Sequence, residues 1–268
     1  MIEYLQVFGH IGFSCFVERA EGIDSMHKLS GFTETGRSST GRVLLDMNTQ
    51  CDLLLTHGAM PIINRAEVLP NLRRLMIWAR NESLPVVSSL ECRRADELGR
   101  GLPAHCMEDS VGQRKVPITL LPKRLVVQDN NALDVQQNPF RGIQQIILMK
   151  RSRDFLSNPK VDRLFQALSV NHFVVFGAIA ERCVRSVVLS LLARWQGVGV
   201  VTDASGGWSA AAADMAMRQM EAKGAVLVTT EELISGAADD RLQIKRPALV
   251  AEEEESAAHG PDCYAETF

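Results

Sequence analysis

The sequence predicts an α/β fold in which a six-stranded, mostly parallel sheet lies between two layers of helices. Two observations carry this prediction. Short runs rich in aliphatic and β-branched residues recur along the chain, and segments with helical spacing separate them. Strands that alternate with helices form βαβ units, which build a parallel sheet covered on both faces in a Rossmann-type order. The six predicted strands are 42–47, 84–89, 143–150, 172–177, 198–203 and 225–230.

The helices between these strands are marked by apolar periodicity and by glycine stops. In 66–81, Leu69, Leu72 and Leu75 recur at helical spacing. Glycines follow two of the later helices, at Gly197 and Gly224, as is common after a helix ends. The predicted helices are 66–81, 161–168, 181–197 and 209–224, with a short one beginning in TEELI.

The strand and helix pattern occupies the middle of the 268-residue chain. We therefore predict an N-terminal extension over 1–41, one α/β domain over 42–236, and a solvated acidic tail over 237–268. The stretch 111–142 is longer than a typical connection and contains three prolines, so it is a candidate insertion or lid.

Charge and cysteine usage restrict the cellular setting and the partners. The formal net charge of -3 gives no basic excess for nucleic acid, and no segment is long and apolar enough for a membrane span. The first 22 residues lack the positive start of a secretory signal. The six cysteines have no paired spacing, which favours free thiols. These features predict a cytoplasmic protein that binds neither nucleic acid nor membranes.

Reactive side chains fall at the carboxyl ends of four elements, where parallel sheets bind ligands. Asp46 ends the first strand, Glu91 follows the second, and Lys150 ends the third. Cys183 follows a strand and a tight turn, close to the first turn of a helix. A helix N-terminus favours a thiolate and offers backbone N–H groups to an oxyanion.

Each of these residues also has a purely structural interpretation. Cys183 can be a small core residue, Asp46 a turn or capping residue, and Lys150 a strand-end cation that reaches solvent. Considered one at a time, Asp46 and Lys150 favour the structural interpretation, whereas Cys183 supports the structural and the catalytic interpretations equally. Their occurrence together, in the order Asp, Lys, Cys, favours a catalytic site.

This combination resembles the isochorismatase-like cysteine hydrolases, which include nicotinamidases and carbamoyl amidohydrolases. The resemblance spans residues 42 to 235. Its most specific part is FVVFGAIAERCVRSVVLSLLARWQGVGVVTDASGGWS, and RVLLDMNTQCDLL and IILMKRSRDFL match the segments around the aspartate and the lysine. The sequence departs from the family at Asn48, where glutamine is usual, and at Ala180, where threonine is usual.

The resemblance implies roles for the three residues. Cys183 would attack an electrophilic carbon, Asp46 would accept the thiol proton, and Lys150 would hold both in reactive states. The amides of Ile179 and Cys183 would form the oxyanion hole. The Ala178–Ile179 peptide would be cis.

The resemblance also raises the question of a metal. Nicotinamidases carry Asp-x-His after the second strand and a later His-Cys, where this sequence has Glu91, Arg93 and His105. Glu91 and His105 alone are weak candidates for a metal site, so we predict neither a metal nor another cofactor. Arg93 could instead bind a substrate carboxylate, or lie in an exposed loop. Asn48, His57 and Trp208 are further candidates for substrate contacts, although Trp208 could simply pack.

These expectations define the predicted function. The chain would hydrolyse a small amide or related C–N bond through a thioester on Cys183. One alternative is a catalytically silent binding or scaffold protein of the same fold, and another is an isochorismatase-type hydrolase of an enol ether. The partner would be a small-molecule substrate, and self-association into a homo-oligomer is implied by the resemblance alone.

Overall fold

We describe a computed structural model of the chain, which covers residues 42–97, 103–128, 140–151, 154–157, 159–168, 170, 172–194 and 197–242. The predicted N-terminal extension and all of the predicted acidic tail beyond residue 242 lie outside these residues, as does 129–139 within the candidate lid. None of the helices in the described ranges is long and apolar enough to cross a membrane.

The chain folds around one parallel sheet, as predicted. Its strands are β1 (Arg42–Met47), β2 (Val86–Glu91), β3 (Arg124–Val127), β4 (Gln145–Lys150), β5 (His172–Ala178), β6 (Gly197–Gly206) and β7 (Val226–Val228). Their order is β3-β4-β2-β1-β5-β6-β7, and every neighbouring pair is parallel. The predicted fold class is confirmed.

The sheet has seven strands instead of the predicted six, because β3 was missed. This strand has only four residues, and its burial is low because it lies at the edge of the sheet. It also lies among the prolines of 111–142, the segment interpreted from sequence as an insertion or lid. A short exposed edge strand lacks the buried alternation on which strand prediction depends.

Helices cover both faces of the sheet. They are α1 (Cys51–Leu54), α2 (Arg65–Asn81), α3 (Pro159–Ala167), α4 (Arg185–Leu192), α5 (Ala210–Ala222), α6 (Thr230–Ser235) and α7 (Asp239–Leu242). The helix predicted over 181–197 is divided: a π-helical turn, Ala180–Val184, precedes α4. Cys183 therefore lies in an irregular turn that leads into a helix.

Alternation along β1 assigns its side chains to two separate cores. Leu44 packs in the core that contains Leu72 and Leu75 of α2. Val43 and Leu45 point the other way, into the core on the α4 side of the sheet. All six residues of β1 are buried, as expected for a central parallel strand.

The strand order reverses direction next to β1. From β1 the chain builds β2, β4 and β3 on one side, and β5, β6 and β7 on the other. Ligands of open parallel sheets bind outside the carboxyl ends of the strands at such a switch point. The candidate site is therefore expected beyond the ends of β1 and β5, with β2 and β4 beside them.

Candidate active site

Cys183 and Lys150 are in direct contact at this edge of the sheet. The Nζ of Lys150 donates to the Sγ of Cys183 at 3.6 Å, and both side chains are buried. An ammonium group next to a thiol favours the thiolate, which is the nucleophilic form of cysteine. The two residues come from the end of β4 and from the turn after β5, so the parallel sheet itself brings them together.

The turn that carries Cys183 is fixed by a close approach between β5 and β1. Gly177 has φ +113°, and a Cβ at this position would lie 2.2 Å from the backbone oxygen of Met47. The peptide bond between Ala178 and Ile179, just after this glycine, is cis, as the resemblance implied. The N–H groups of Arg182 and Val184 then donate to the carbonyl of Ile179, which closes the π-helical turn around Cys183.

Glu91 lies beside Lys150, because the two residues are register partners at the ends of β2 and β4. The guanidinium of Arg93 donates to Glu91 Oε1 through Nε at 2.6 Å and Nη2 at 2.5 Å. The amide of Asn48 donates to Glu91 Oε2 at 3.2 Å. Burial acts to raise the pKa of Glu91, but the charges of Lys150 and Arg93 outweigh it, so the pKa lies below the ordinary glutamate value.

Asp46 has a different set of partners from the one expected. Its Oδ2 pairs with Lys115 Nζ at 2.7 Å and accepts from the Ser88 hydroxyl at 2.9 Å. Its Oδ1 accepts from the Thr49 hydroxyl at 2.7 Å, and Lys115 also donates to that hydroxyl at 2.6 Å. Burial lowers the pKa of Lys115, although the carboxylate of Asp46 opposes this effect.

Strand alternation explains why Asp46 meets Lys115. Asp46 shares one side of β1 with Leu44, which packs in the α2 core. Lys150 shares one side of β4 with Ile146 and Leu148, which pack in the core on the opposite face. The structure thus brings Lys150 to Cys183, and it joins Asp46 to Lys115, Thr49 and Ser88.

Lys115 is a site residue that the sequence did not reveal. It belongs to the segment interpreted as an insertion, far along the chain from Asp46. The segment is held against the end of β1 by backbone bonds from Cys51 N–H to Arg114 O at 2.8 Å and from Val116 N–H to Thr49 O at 3.0 Å. No spacing or motif signals such a pairing, which depends on the tertiary path of an irregular segment.

Gln50 is a second residue that was missed. Its side-chain amide donates to the carbonyl of Glu91 at 2.8 Å and to that of Gln113 at 2.7 Å, and its Oε1 accepts from the N–H of Glu91 at 2.8 Å. These bonds tie the end of β1 to the end of β2. They set the position of Glu91, and through it the charge next to Lys150.

The candidate substrate-binding residues divide into buried and exposed positions. Asn48 is buried, and both ends of its amide are engaged, with Glu91 and with the Ser89 hydroxyl. Arg93 is half-buried and directed at Glu91. His57 is exposed in the turn after α1. The roles of all three toward a substrate remain predictions.

His105 and Trp208 form one further contact of the site. Their rings meet edge to face, with centroids 5.7 Å apart. The Trp208 indole donates to the carbonyl of Met60 at 2.9 Å, and the guanidinium of Arg182 lies 5.2 Å from the centre of its ring. Trp208 is therefore both packed and adjacent to the turn that carries Cys183.

Comparison with known proteins identifies the class. The isochorismatase domain model matches residues 43–232, which is most of the chain, so the chain belongs to the isochorismatase family, a family of hydrolases. This confirms the resemblance found in the sequence. Among curated proteins, no match was found.

Solved structures share the fold at low identity. A pyrazinamidase of Pyrococcus horikoshii in complex with zinc is 18% identical, with TM-score 0.58, over 70% of this chain and 99% of that chain. An isochorismatase family protein from Desulfovibrio vulgaris is 19% identical, with TM-score 0.59, over 74% and 99%. The MAR1 ribonuclease from Caenorhabditis elegans is 23% identical, with TM-score 0.52, over 79% and 95%. The activities in these names differ, so the fold does not by itself select a substrate.

The zinc in the first of these proteins raises the question of whether this chain could hold a metal. No group of three or more histidine, cysteine or acidic residues with metal-binding geometry occurs within the described ranges. Glu91 Oε1 is held by two N–H groups of Arg93, and His105 Nδ1 lies 2.8 Å from the carbonyl of Pro103. The guanidinium of Arg93 on Glu91 opposes a divalent cation at this carboxylate, so Glu91 and His105 do not fit a metal site.

Proposed function

We propose that this chain is a cysteine-nucleophile hydrolase of a small amide or a related C–N bond. The observation that carries the proposal is the buried contact between Lys150 Nζ and Cys183 Sγ at the switch point of a sheet of the isochorismatase family. A cysteine sulfur beside an ammonium group, at the turn that follows β5, is a suitable nucleophile for a carbonyl carbon.

The proposed reaction proceeds in two halves. Cys183 gives its thiol proton to Asp46 and attacks the carbonyl carbon, so that a C–S bond forms, the C–N bond breaks, and the nitrogen leaves with the proton returned by Asp46. Water then attacks the thioester, which releases the carboxylic acid and restores the thiol. The amides of Ile179 and Cys183 would stabilise the oxyanion, and Lys150 would stabilise the negative charge on sulfur.

Asp46 completes the proposed triad as the acceptor of the thiol proton. This role requires the carboxylate to exchange one of its present donors, since Lys115, Thr49 and Ser88 all bind it. The two hydroxyl groups can rotate, whereas the ammonium of Lys115 is fully buried with the carboxylate.

The occupied carboxylate also favours a second candidate function. A catalytically silent protein that binds a small molecule in the same place needs no proton acceptor, and the Lys115 ammonium on Asp46 is compatible with that. The two candidates differ in whether Cys183 reacts and whether amides are cleaved.

The first experiment measures alkylation of Cys183 by iodoacetamide in the folded protein, with peptide mass spectrometry as the readout. We expect rapid alkylation at neutral pH and at least a several-fold loss of rate in Lys150→Met, because the cation that favours the thiolate is gone. The exposed Lys123→Met is the matched control and should react like wild type. Equal rates in Lys150→Met and wild type would remove the basis of the proposal.

The second experiment measures ammonia release from a panel of primary amides, including nicotinamide and pyrazinamide. We expect turnover of at least one amide, with loss in Cys183→Ser and in Asp46→Asn. Rapid alkylation without cleavage of any amide would favour the silent binding protein. Turnover that survives in Asp46→Asn would show that Asp46 is not the proton acceptor.

A further inference from the structure

The imidazole of His105 has one nitrogen in use and one without a partner. The side chain is buried, and Nδ1 lies 2.8 Å from the carbonyl oxygen of Pro103. A carbonyl can only accept, so Nδ1 carries the proton, and in the neutral ring Nε2 presents a lone pair. Within the described ranges, Nε2 is buried and has no hydrogen-bond partner. Such atoms are rare in native proteins, and a role toward a ligand is one explanation.

The surroundings of His105 connect it to the reactive cysteine. Its ring meets the edge of Trp208, and Trp208 is held by its indole bond to Met60 O and by a backbone bond to Glu181 Oε1 at 2.8 Å. Glu181 and Arg182 directly precede Cys183 in the π-helical turn. The Trp208 ring therefore links His105 to the turn that carries the nucleophile.

A second unpartnered acceptor adjoins the same tryptophan. Glu181 Oε2 is buried and has no hydrogen-bond partner within the described ranges, while Oε1 of the same carboxylate accepts from the N–H groups of Trp208 and Ser209. Oε2 lies against Gly207, where a Cβ would be only 2.3 Å away, so any side chain at this position would clash with the carboxylate. Both unpartnered atoms belong to residues that contact Trp208 and both are acceptors, so a ligand that satisfies either of them has to supply a donor.

A metal ion is the other occupant to consider for His105 Nε2, and the charges oppose it. Glu91, the carboxylate that would have to share a metal with His105, is bound by two N–H groups of Arg93 and lies beside Lys150. Two fixed cations already neutralise that carboxylate. A neutral hydrogen-bond donor avoids the repulsion that a divalent cation would meet there.

We propose that His105 Nε2 accepts a hydrogen bond from an N–H group of the ligand, and that the ligand carries a primary amide or ureido group. The acceptor orients the ligand against Trp208 and makes His105 a specificity-determining residue. This inference rests on the proposed amide chemistry for the ligand class, but the contact itself concerns binding.

The test uses full-length Cys183→Ser protein, so that binding is measured without hydrolysis. Nicotinamide, benzamide, acetamide and urea are titrated up to their solubility limits, each beside its N,N-dimethyl counterpart (tetramethylurea for urea). The side-chain ¹⁵N resonance of His105 Nε2 reports hydrogen-bond formation, and the indole N–H resonance of Trp208 reports occupancy. We expect at least one N–H-bearing ligand to shift both resonances and to bind at least tenfold more tightly than its methylated counterpart.

Variants separate the hydrogen bond from packing. His105→Phe keeps an aromatic ring but removes the acceptor. The N–H-bearing ligand and its methylated counterpart should then bind with equal affinity, as measured by the indole N–H resonance of Trp208. His105→Gln returns an acceptor oxygen and should restore part of the preference. The resonance of His172, which lies at the start of β5, serves as the internal control.

Three outcomes would overturn the inference. The first is that amides and their methylated counterparts bind equally to the Cys183→Ser protein in which His105 is unchanged. The second is that no ligand of the panel shifts the Nε2 resonance. The third is that Zn²⁺ shifts the Nε2 resonance and that Glu91→Gln abolishes this shift. The last outcome would make His105 a metal ligand. Because none of these readouts involves turnover, a failure of the proposed hydrolysis would leave the binding result interpretable.

Discussion

At the scale of single residues, the candidate site contains two charged clusters that behave differently. Around Cys183, the cation of Lys150 is shared with Glu91, and Arg93 adds a second positive charge. Around Asp46, one ammonium and two hydroxyl groups saturate a buried carboxylate. The first cluster places the sulfur of Cys183 next to a cation, and the second is a closed hydrogen-bond network.

The pair of Asp46 and Lys115 gives a prediction about stability. Lys115→Met should lower the free energy of unfolding by about 3–5 kcal/mol, because it leaves a buried carboxylate without its counter-charge. The double variant Asp46→Asn/Lys115→Met should be destabilised by less than the sum of the single variants, since neither charge remains. Urea denaturation measures both quantities. The exposed Lys123→Met is the control, and a Lys115→Met protein as stable as this control would contradict the prediction.

Glu91 gives a prediction about pH. Its pKa in the folded protein is lower than the unfolded value of about 4.3, so folding favours the ionised form. The resulting stability is present above the unfolded pKa and is lost as the pH falls through the folded one. The free energy of unfolding of wild type should therefore fall more steeply below about pH 4.3 than that of Glu91→Gln. Denaturation curves over this range provide the measurement, with the exposed Glu221→Gln as control; parallel pH profiles in Glu91→Gln and wild type would refute it.

At the scale of elements, the approach of β5 to β1 determines where the turn that carries Cys183 lies. Gly177 has positive φ and lies against the backbone of Met47, at the end of the strand that carries Asp46. The cysteine turn begins directly after β5. A change at this glycine is therefore expected to alter both the fold and the position of Cys183.

Two glycine variants separate backbone strain from steric contact. Gly224→Ala, at φ +101° with no atom near its Cβ, should cost about 1–2 kcal/mol from backbone strain alone. Gly177→Ala carries a similar strain and also places a Cβ 2.2 Å from a backbone oxygen, so its cost should be clearly larger. Thermal unfolding compares the two proteins, and Cys183 alkylation should slow only in Gly177→Ala. Equal losses of stability would show that the backbone of β1 moves aside easily.

The secondary-structure elements differ in how well the sequence predicts them. The strands that carry the site were predicted because central parallel strands are continuous apolar runs, and β1 was predicted with its observed bounds. The edge strand β3 was missed, since its four residues are mostly exposed and lack that pattern. The turn at Cys183 was expected to open a regular helix, but the π-helical backbone of Ala180–Val184 has no periodicity that a sequence could reveal.

At the scale of the whole molecule, the sequence predicted which strand ends meet but not which side chains touch. Parallel order brings Asp46, Glu91, Lys150 and Cys183 to one edge, as predicted. Their pairing depends on which face each side chain occupies and on segment 113–116, which delivers Lys115 to Asp46. Contacts made by an irregular segment depend on tertiary structure, so the Asp46–Lys115 pair and the Gln50 bonds to Glu91 could not be predicted.

The cysteines distributed over the molecule allow a comparison of reactivity within one protein. Burial raises the pKa of the thiols of Cys51, Cys92 and Cys106, with further increases from Asp52, Glu108 and Glu91, respectively. Cys51 is the most accessible of the four described cysteines, whereas Cys183 is buried and lies beside Lys150. If exposure decided reactivity, Cys51 would be alkylated first.

We expect the opposite order, because the thiolate and not the thiol reacts with iodoacetamide. At neutral pH, the folded protein should modify Cys183 at least several-fold faster than Cys51, with Cys92 and Cys106 slower still. In denaturant, where the local charges no longer act, the four rates should converge. Peptide mass spectrometry over a time course measures all four thiols in one sample. A folded protein in which Cys51 reacts first would mean that access, and not the Lys150 cation, governs the chemistry of these thiols.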